Sequence, residues 1–452
     1  LDRLRAVVPW ALLVIAWSSI GPAMGDPMAP TSQDRQIAHA VTFKLQTGHL
    51  TEHKMDDEIS QRCLAAFLES LDPWKLYFRQ SDVDRFAARE KELDDLVRDR
   101  KLEEFLNFAH TVFSSMLQRV DQTPVIVDEL LVGPRDFTLD EEILRDPDLA
   151  TYANSDAEAR DKWRKLIKYD LLSLKAEKLG KEEGEDVDDE DPVEKLRSRY
   201  KSRFRRTHQT DREELLEIYL TALTSAFDPH TSYMSPDSYE NFLIVMRLEL
   251  QGIGAALQSM DGETVVRKII PGGAADKDGR LKVDDKIVGV GQGPDGEIED
   301  VVNMKLKDVV RRIRGDKGTV VRLEIVPADG LERNTIAITR DRIELKDSEA
   351  QGDIFEEGKK ADGQPYKIGV IDLPSFYMDL EAARRGDPDF KSTTRDVRNI
   401  LEGFNRDGVD AVVLDLRRNG GGSLQEAISL TGLFIDQGPV VQVKDAAGVV
   451  QP

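Results

Sequence analysis

The sequence predicts a multidomain α+β protein: a long helical region, then a smaller β module, then an α/β segment. Three observations predict it. Through the first half, apolar residues recur at three- and four-residue spacing. From about residue 240 the pattern changes to short strand-like runs punctuated by glycine. Beyond 340, two apolar runs flank a helical stretch, the order of a parallel α/β unit. The chain has 452 residues, more than one ordinary domain, and its 40% hydrophobic and 33% charged residues suit a soluble protein with a sizeable core. A formal charge of −22 argues against a nucleic-acid binder, which concentrates Lys and Arg.

The first element is a targeting segment. Arg3 and Arg5 precede an apolar run from Ala6 to Ile20, and Ala23-Met24-Gly25 supplies the small residues of a cleavage site. Residues 1–25 therefore read as a signal peptide, and the expected location is the periplasm. The rival reading is an uncleaved anchor, for which the run is short against the roughly 20 apolar residues of a span. No later stretch is apolar enough to span, so no stable membrane span is expected after cleavage. Cys63 is the one cysteine, set on the helical apolar face of Ile59, Phe67 and Leu71, and reads as a small buried hydrophobe.

Residues 26–239 form the expected helical domain. Helices are expected around Ile37–Leu45 and Ile59–Leu71, at 81–97 opened by Ser81, and at 101–119. A loop-rich stretch follows at 121–150, with helix again at 155–180 and 193–226. The acidic run 181–192 lacks the order of a calcium loop and reads as a solvated insertion. His39, His49, His53 and His110 show no metal-ligand spacing, and no cofactor or metal is expected.

The β module, 240–340, centres on Gly252-Ile253-Gly254-Ala255-Ala256-Leu257. Two glycines one residue apart let successive N–H groups point into one hollow, an anion nest that suits a C-terminal carboxylate. The strand from Ile253 to Leu257 then offers an edge to an extended peptide. Leu306, Val309, Val310 and Ile313 share one face of a helix stopped by Gly315 and would wall an apolar groove. A dinucleotide fingerprint fails, because Leu257 stands where its third glycine belongs. With Ile270-Pro271-Gly272-Gly273-Ala274-Ala275 and Leu281-Lys282-Val283-Asp284-Asp285-Lys286-Ile287, the module resembles a PDZ domain. Asp284 stands where that family usually has glycine, a substitution expected to strain the turn.

In 341–452, strands are expected at Ile368–Leu373 and Ala411–Leu416, with a helix at 392–406 between them. The second strand runs through Asp415-Leu416-Arg417-Arg418-Asn419-Gly420-Gly421-Gly422-Ser423 into a helix, Leu424 to Phe434. N–H groups at such a turn can hold an anion or a developing oxyanion. Together with Phe227-Asp228-Pro229-His230-Thr231-Ser232-Tyr233, Ile371-Asp372-Leu373-Pro374-Ser375-Phe376-Tyr377 and Pro439-Val440-Val441-Gln442-Val443, these motifs resemble the C-terminal processing (tail-specific) proteases of the long periplasmic type.

The resemblance implies a ClpP/crotonase-like protease core and a serine endopeptidase with a Ser–Lys dyad, in which the PDZ module captures nonpolar C-termini of protein substrates. It gives oxyanion work to Gly420, Gly421 and Gly422 and turn shaping to Arg417 and Asn419. It gives peptide binding to Gly252, Ile253, Gly254, Ala255, Leu257, Leu306, Val309, Val310 and Ile313. A lipoprotein adaptor is a candidate partner, and nucleic acid is not. The family's serine and lysine lie beyond the segment matching Val441–Asp445, so the core is expected to be incomplete at Pro452 and this chain inactive by itself. Ser423 reads as a helix cap, and Ser375 as structural, rather than nucleophiles. The alternative is a non-catalytic tail-binding adaptor or chaperone.

Overall fold

The computed structural model describes residues 28–451 apart from 52, 135, 180–190 and 331. The signal-peptide stretch and all but the last two residues of the acidic run 181–192 lie outside the described residues. Helix α1 (Ser32–Gly48) starts at a reciprocal cap: Asp34 N donates to Thr31 Oγ1 and Thr31 N to Asp34 Oδ2. Asp56 caps α2 (Asp57–Leu71), whose Ile59, Cys63 and Phe67 are buried. The helix expected at 81–97 is two, α3 (Gln80–Ala87) and α4 (Leu93–Arg98). Arg89-Glu90-Lys91-Glu92 between them offers no apolar side chain to hold a continuous helix on the core.

A larger difference follows. Helix α5 runs Leu102–Val132, straight through Pro124 and into the stretch expected to be loop. An interior proline costs roughly 3 kcal/mol, but Val120, Thr123, Val127 and Leu131 continue the buried stripe past it. Beyond α6 (Asp156–Leu179), the helix expected at 193–226 is also two, α7 (Pro192–His208) and α8 (Arg212–Ser225), because Asp211 and Glu214 cap a new start. These helices bury Phe67, Phe105, Trp163 and Tyr219 in one core. Burial pushes the Cys63 thiol far up, as suits a packed hydrophobe.

Ser235 and Pro236 open α9 (Pro236–Arg247), which leads into the β module. Strand β1 (Glu249–Gly252) pairs antiparallel with β8 (Asp341–Glu344), closing the module at its base. Between them lie β2 (Ala255–Met260), β3 (Glu263–Ile269), α10 (Ala274–Asp278), β4 (Lys286–Gln292), β5 (Ile298–Asp300), α11 (Leu306–Ile313), β6 (Val320–Val326) and β7 (Asn334–Thr339). The sheet order is β2-β3-β4-β6-β7, with β5 on β4, so β2 is an edge. Its core holds Val266, Ile287, Leu323, Val309 and Ile313.

In the last region β10 (Tyr366–Asp372) and β11 (Ala411–Asp415) are parallel, Ile368 beside Ala411, with α13 (Thr393–Arg406) as the crossover after a short α12 (Leu380–Arg384). An unanticipated strand, β9 (Gln351–Glu357), adds antiparallel to β10. Helix α14 is Leu424–Thr431, one turn shorter than expected. Ile371, Leu373, Tyr377, Val397 and Phe404 form this core, joined by Leu248 from the end of α9.

Candidate functional site

The groove follows from the edge position of β2. One side of β2 pairs with β3, while its other side faces α11. The four apolar residues of α11 divide. Val309 and Ile313 are buried in the module core, whereas Leu306 and Val310 stay half-buried on the flank. Sequence reasoning gave all four to the groove; helical spacing alone could not separate the two sets. Ala255 and Leu257 lean onto the core from β2, and the Ile253 side chain is buried there, so Ile253 offers the groove its backbone only.

The loop before β2 is held open by its partners. Ile270 N donates to Gly254 O and Ala275 N to Ile253 O, at 2.8 and 2.7 Å. Gly254 has φ +78°, and a Cβ there would lie 3.2 Å from Gly273 Cα, so both conformation and space demand glycine. The N–H groups of Ile253 and Gly254 meet no acceptor among the described residues. Asp284 does take a left-handed conformation, φ +68°, with Arg267 Nη1 donating to its carboxylate at 2.7 Å.

Two supports were not legible in the sequence. Arg340 is 4% exposed, and its guanidinium donates to the Ile313 and Arg312 carbonyls at 2.7 and 3.0 Å, fixing the end of α11. At the other end Lys305 and Lys307 reach Asp211 and Glu214 of the helical domain at 2.6 to 3.1 Å. Partial burial opposes it, but hydrogen bonds from Lys307, the Glu214 amide and Lys305 hold Asp211 down at about 2.

The second site is the glycine turn after β11. Gly420 N donates to Pro374 O, Gly421 N to Asn419 Oδ1, and Ser423 N to Phe376 O. Of these successive amides, Gly422 N–H alone has no acceptor among the described residues. Two of the three amides expected to serve an oxyanion, those of Gly420 and Gly421, are thus engaged within the turn itself. Asn419 shapes the turn from both ends of its amide, since Nδ2 also donates to Leu373 O at 2.9 Å. Arg417 instead forms an exposed fork with Asp415, whose carboxyl its hydrogen bonds hold far below the usual range. Ser423 Oγ accepts from Glu426 N and caps α14. The adjoining loop is anchored by Tyr377, whose hydroxyl donates to Asp396 Oδ2 at 2.8 Å and accepts from Ala350 N.

Around the loop linking the helical domain to the β module, Asp228 accepts from His230 N, Thr231 Oγ1 and His49 Nε2, and these bonds lower its carboxyl strongly. His49 is thereby a structural partner. Among the described residues no cluster of His, Cys, Asp and Glu could hold a metal, and no helix is long and apolar enough to cross a membrane.

Three family models match in succession: tail specific protease N-terminal domain over residues 41–237, PDZ domain over 243–326, and peptidase family S41 over 367–451. The tail-specific protease of Haemophilus influenzae is 35% identical over 421 residues, 92% of this chain and 55% of the relative. The carboxy-terminal processing protease of Bacillus subtilis is 28% identical over 238 residues, 52% of this chain and 44% of the relative. The chain thus spans about half the length of these curated relatives. Among solved structures, the PDZ domain of a carboxy-terminal protease from Vibrio cholerae, in complex with peptide, is 41% identical. It covers 22% of this chain and all of its own, with a TM-score of 0.21.

Proposed function

The chain belongs to the tail-specific protease family, and on that premise we propose that it serves C-terminal processing of exported proteins in the periplasm. In this reading its PDZ groove takes the nonpolar C-terminus of a protein substrate and presents the chain to the S41 region, where a lysine-activated serine cleaves it. The observation that carries the proposal is the open edge of β2 beside α11. An extended tail can pair with that edge through its main chain, set an apolar side chain against Leu306 and Val310, and end at the Ile253 and Gly254 amides.

In the S41 region this reading gives the oxyanion of a tetrahedral intermediate to the Gly422 N–H, supported by its having no acceptor among the described residues. Ser423 is committed to its helix cap, so it is not assigned the nucleophile's role. The periplasmic assignment rests on the basic and apolar N-terminal pattern of residues 3–25.

The test uses the whole chain and a fluorescein-labelled nonapeptide, read by anisotropy. A peptide ending in an apolar residue with a free carboxylate should bind. Amidating that terminus, or ending the peptide in Asp, should weaken binding at least about tenfold, the scale of a lost charge-assisted hydrogen bond. Equal binding of all three peptides, or of none, defeats the reading.

A further inference from the structure

The helical domain holds a cavity of about 370 Å³, lined by none of the residues of the groove or the glycine turn. Its size falls in the range of small-ligand pockets, about 300–1,000 Å³. One wall is a preorganised turn. The Asp72 carboxylate is buried and accepts from the amides of Leu76, Tyr77 and Phe78 at 2.9 to 3.0 Å. Lys75, inside the turn, is left-handed at φ +51°. The turn sets Leu76 against the cavity and holds Trp74 there 39% exposed.

Helix α6 supplies a second wall with Lys162, Lys165 and Leu166, and Arg203 of α7 joins it. A third is the loop 142–145, which brings Ile143, Leu144 and Arg145. Glu141 fastens that loop to α6, accepting from Arg164 at 3.1 Å and Lys168 at 2.6 Å.

Four cations thus line the cavity against one carboxylate, Glu142, in a chain whose formal charge is −22. Lys165 has Asp161 at 3.5 Å, and Lys162 donates to the Thr151 carbonyl. Arg145 and Arg203 form no ion pair among the described residues, and Arg203 lies over the Tyr77 ring at 5.8 Å. Carbon surface beneath cations without counter-charges is the complement of an amphiphile with an anionic head. No β-strand borders the cavity, so a polypeptide would find no ladder to join there, whereas a small amphiphile needs none.

We propose that this cavity is a binding site for a free medium-chain carboxylate, its chain on Trp74, Leu76 and Leu166 and its head taken by Arg145, Arg203 and Lys165. The site is separate from tail capture and does not rest on it.

The test titrates decanoate into the whole chain by calorimetry, below the concentration at which decanoate forms micelles. Acetate, a head without a chain, and decyltrimethylammonium, a chain with the opposite charge, should each bind at least about tenfold more weakly. Replacing the two exposed arginines together, Arg145→Gln with Arg203→Gln, should weaken decanoate at least about tenfold and leave tail-peptide anisotropy unchanged. Thermal melts confirm that the variant folds. If it does not, Leu144→Asp, which keeps both arginines and sets a carboxylate in the lining, must show the same loss. No saturable decanoate binding, equal binding of the ammonium amphiphile, or full affinity in a folded variant overturns the assignment. Displacement of decanoate by an acidic apolar peptide of higher affinity would give the cavity to a polypeptide and equally overturn it.

Discussion

Replacing Gly422 with alanine should break the glycine turn, in which the Gly422 N–H alone among the successive amides 420–423 has no acceptor among the described residues. Gly422 has φ +144°, a conformation nearly closed to other residues. An added Cβ would press on the carbonyl oxygen of Phe376, with the Phe376 carbon at 2.7 Å and its nitrogen at 2.9 Å. These are backbone atoms and cannot rotate away. To make room, the Phe376 loop and the turn must part, straining the Phe376 N–Gly421 O bond at 2.9 Å and the Ser423 N–Phe376 O bond at 2.8 Å. Backbone strain of about 1–3 kcal/mol and about 1 kcal/mol for each bond sum to roughly 3–5 kcal/mol of local stability. Segment-resolved hydrogen exchange reads it: residues 374–378 and 420–424 should open faster while the PDZ strands keep their rates. Gly420→Ala is the control, since its φ is not positive and a Cβ there meets nothing within 4 Å. Unchanged exchange in Gly422→Ala, or equal effects of the two substitutions, refutes the reasoning.

Along α11, Val309→Ala should cost about 1.5–2.5 kcal/mol in urea unfolding, because it removes two buried carbons. Val310→Asp should leave stability nearly intact and abolish binding of an apolar tail peptide. Asp284→Gly should stabilise the chain by about 0.5–1 kcal/mol in the same assay. It relieves a left-handed aspartate and loses only an exposed pair with Arg267. The clamp of Lys305 and Lys307 on Asp211 is acid-sensitive. The Asp211 carboxyl is depressed from 3.8 to about 2, so its contribution is complete above about pH 4 and is lost as pH falls toward 2. Protection of the α11 amides, taken as exchange relative to the intrinsic rate at each pH, should fall across that window, and Asp211→Asn should flatten the response.

Much of this was legible in the sequence, for physical reasons. The glycines around Ile253 and the amphipathic face of α11 are local features, and local features set local structure. The parallel pair of β10 and β11 was readable because each is a continuous apolar run. By contrast, β9 has no alternation to read. Its residues Gln351–Glu357 are all exposed, and only pairing with β10 makes them a strand. Helix α5 outruns its proline because the buried stripe resumes beyond it, a decision made by the core rather than by Pro124. The occupancy of the glycine-turn amides depends on Pro374 and Phe376, some forty-six residues upstream in chain and adjacent only in the fold. Likewise Arg311, Arg312 and Arg314 look alike in sequence. Only the fold gives Asp237 to the first and Glu299 to the second, and leaves the third with Asn241.

The central claim is that a C-terminal tail binds by extending the sheet at β2. Hydrogen exchange on the whole chain, with and without a free-acid peptide ending in an apolar residue, tests it most directly. The account predicts slowed exchange across residues 253–259 and along α11, and little change when the peptide is amidated. Protection elsewhere with none at β2, or the same protection from the amidated peptide, would contradict it.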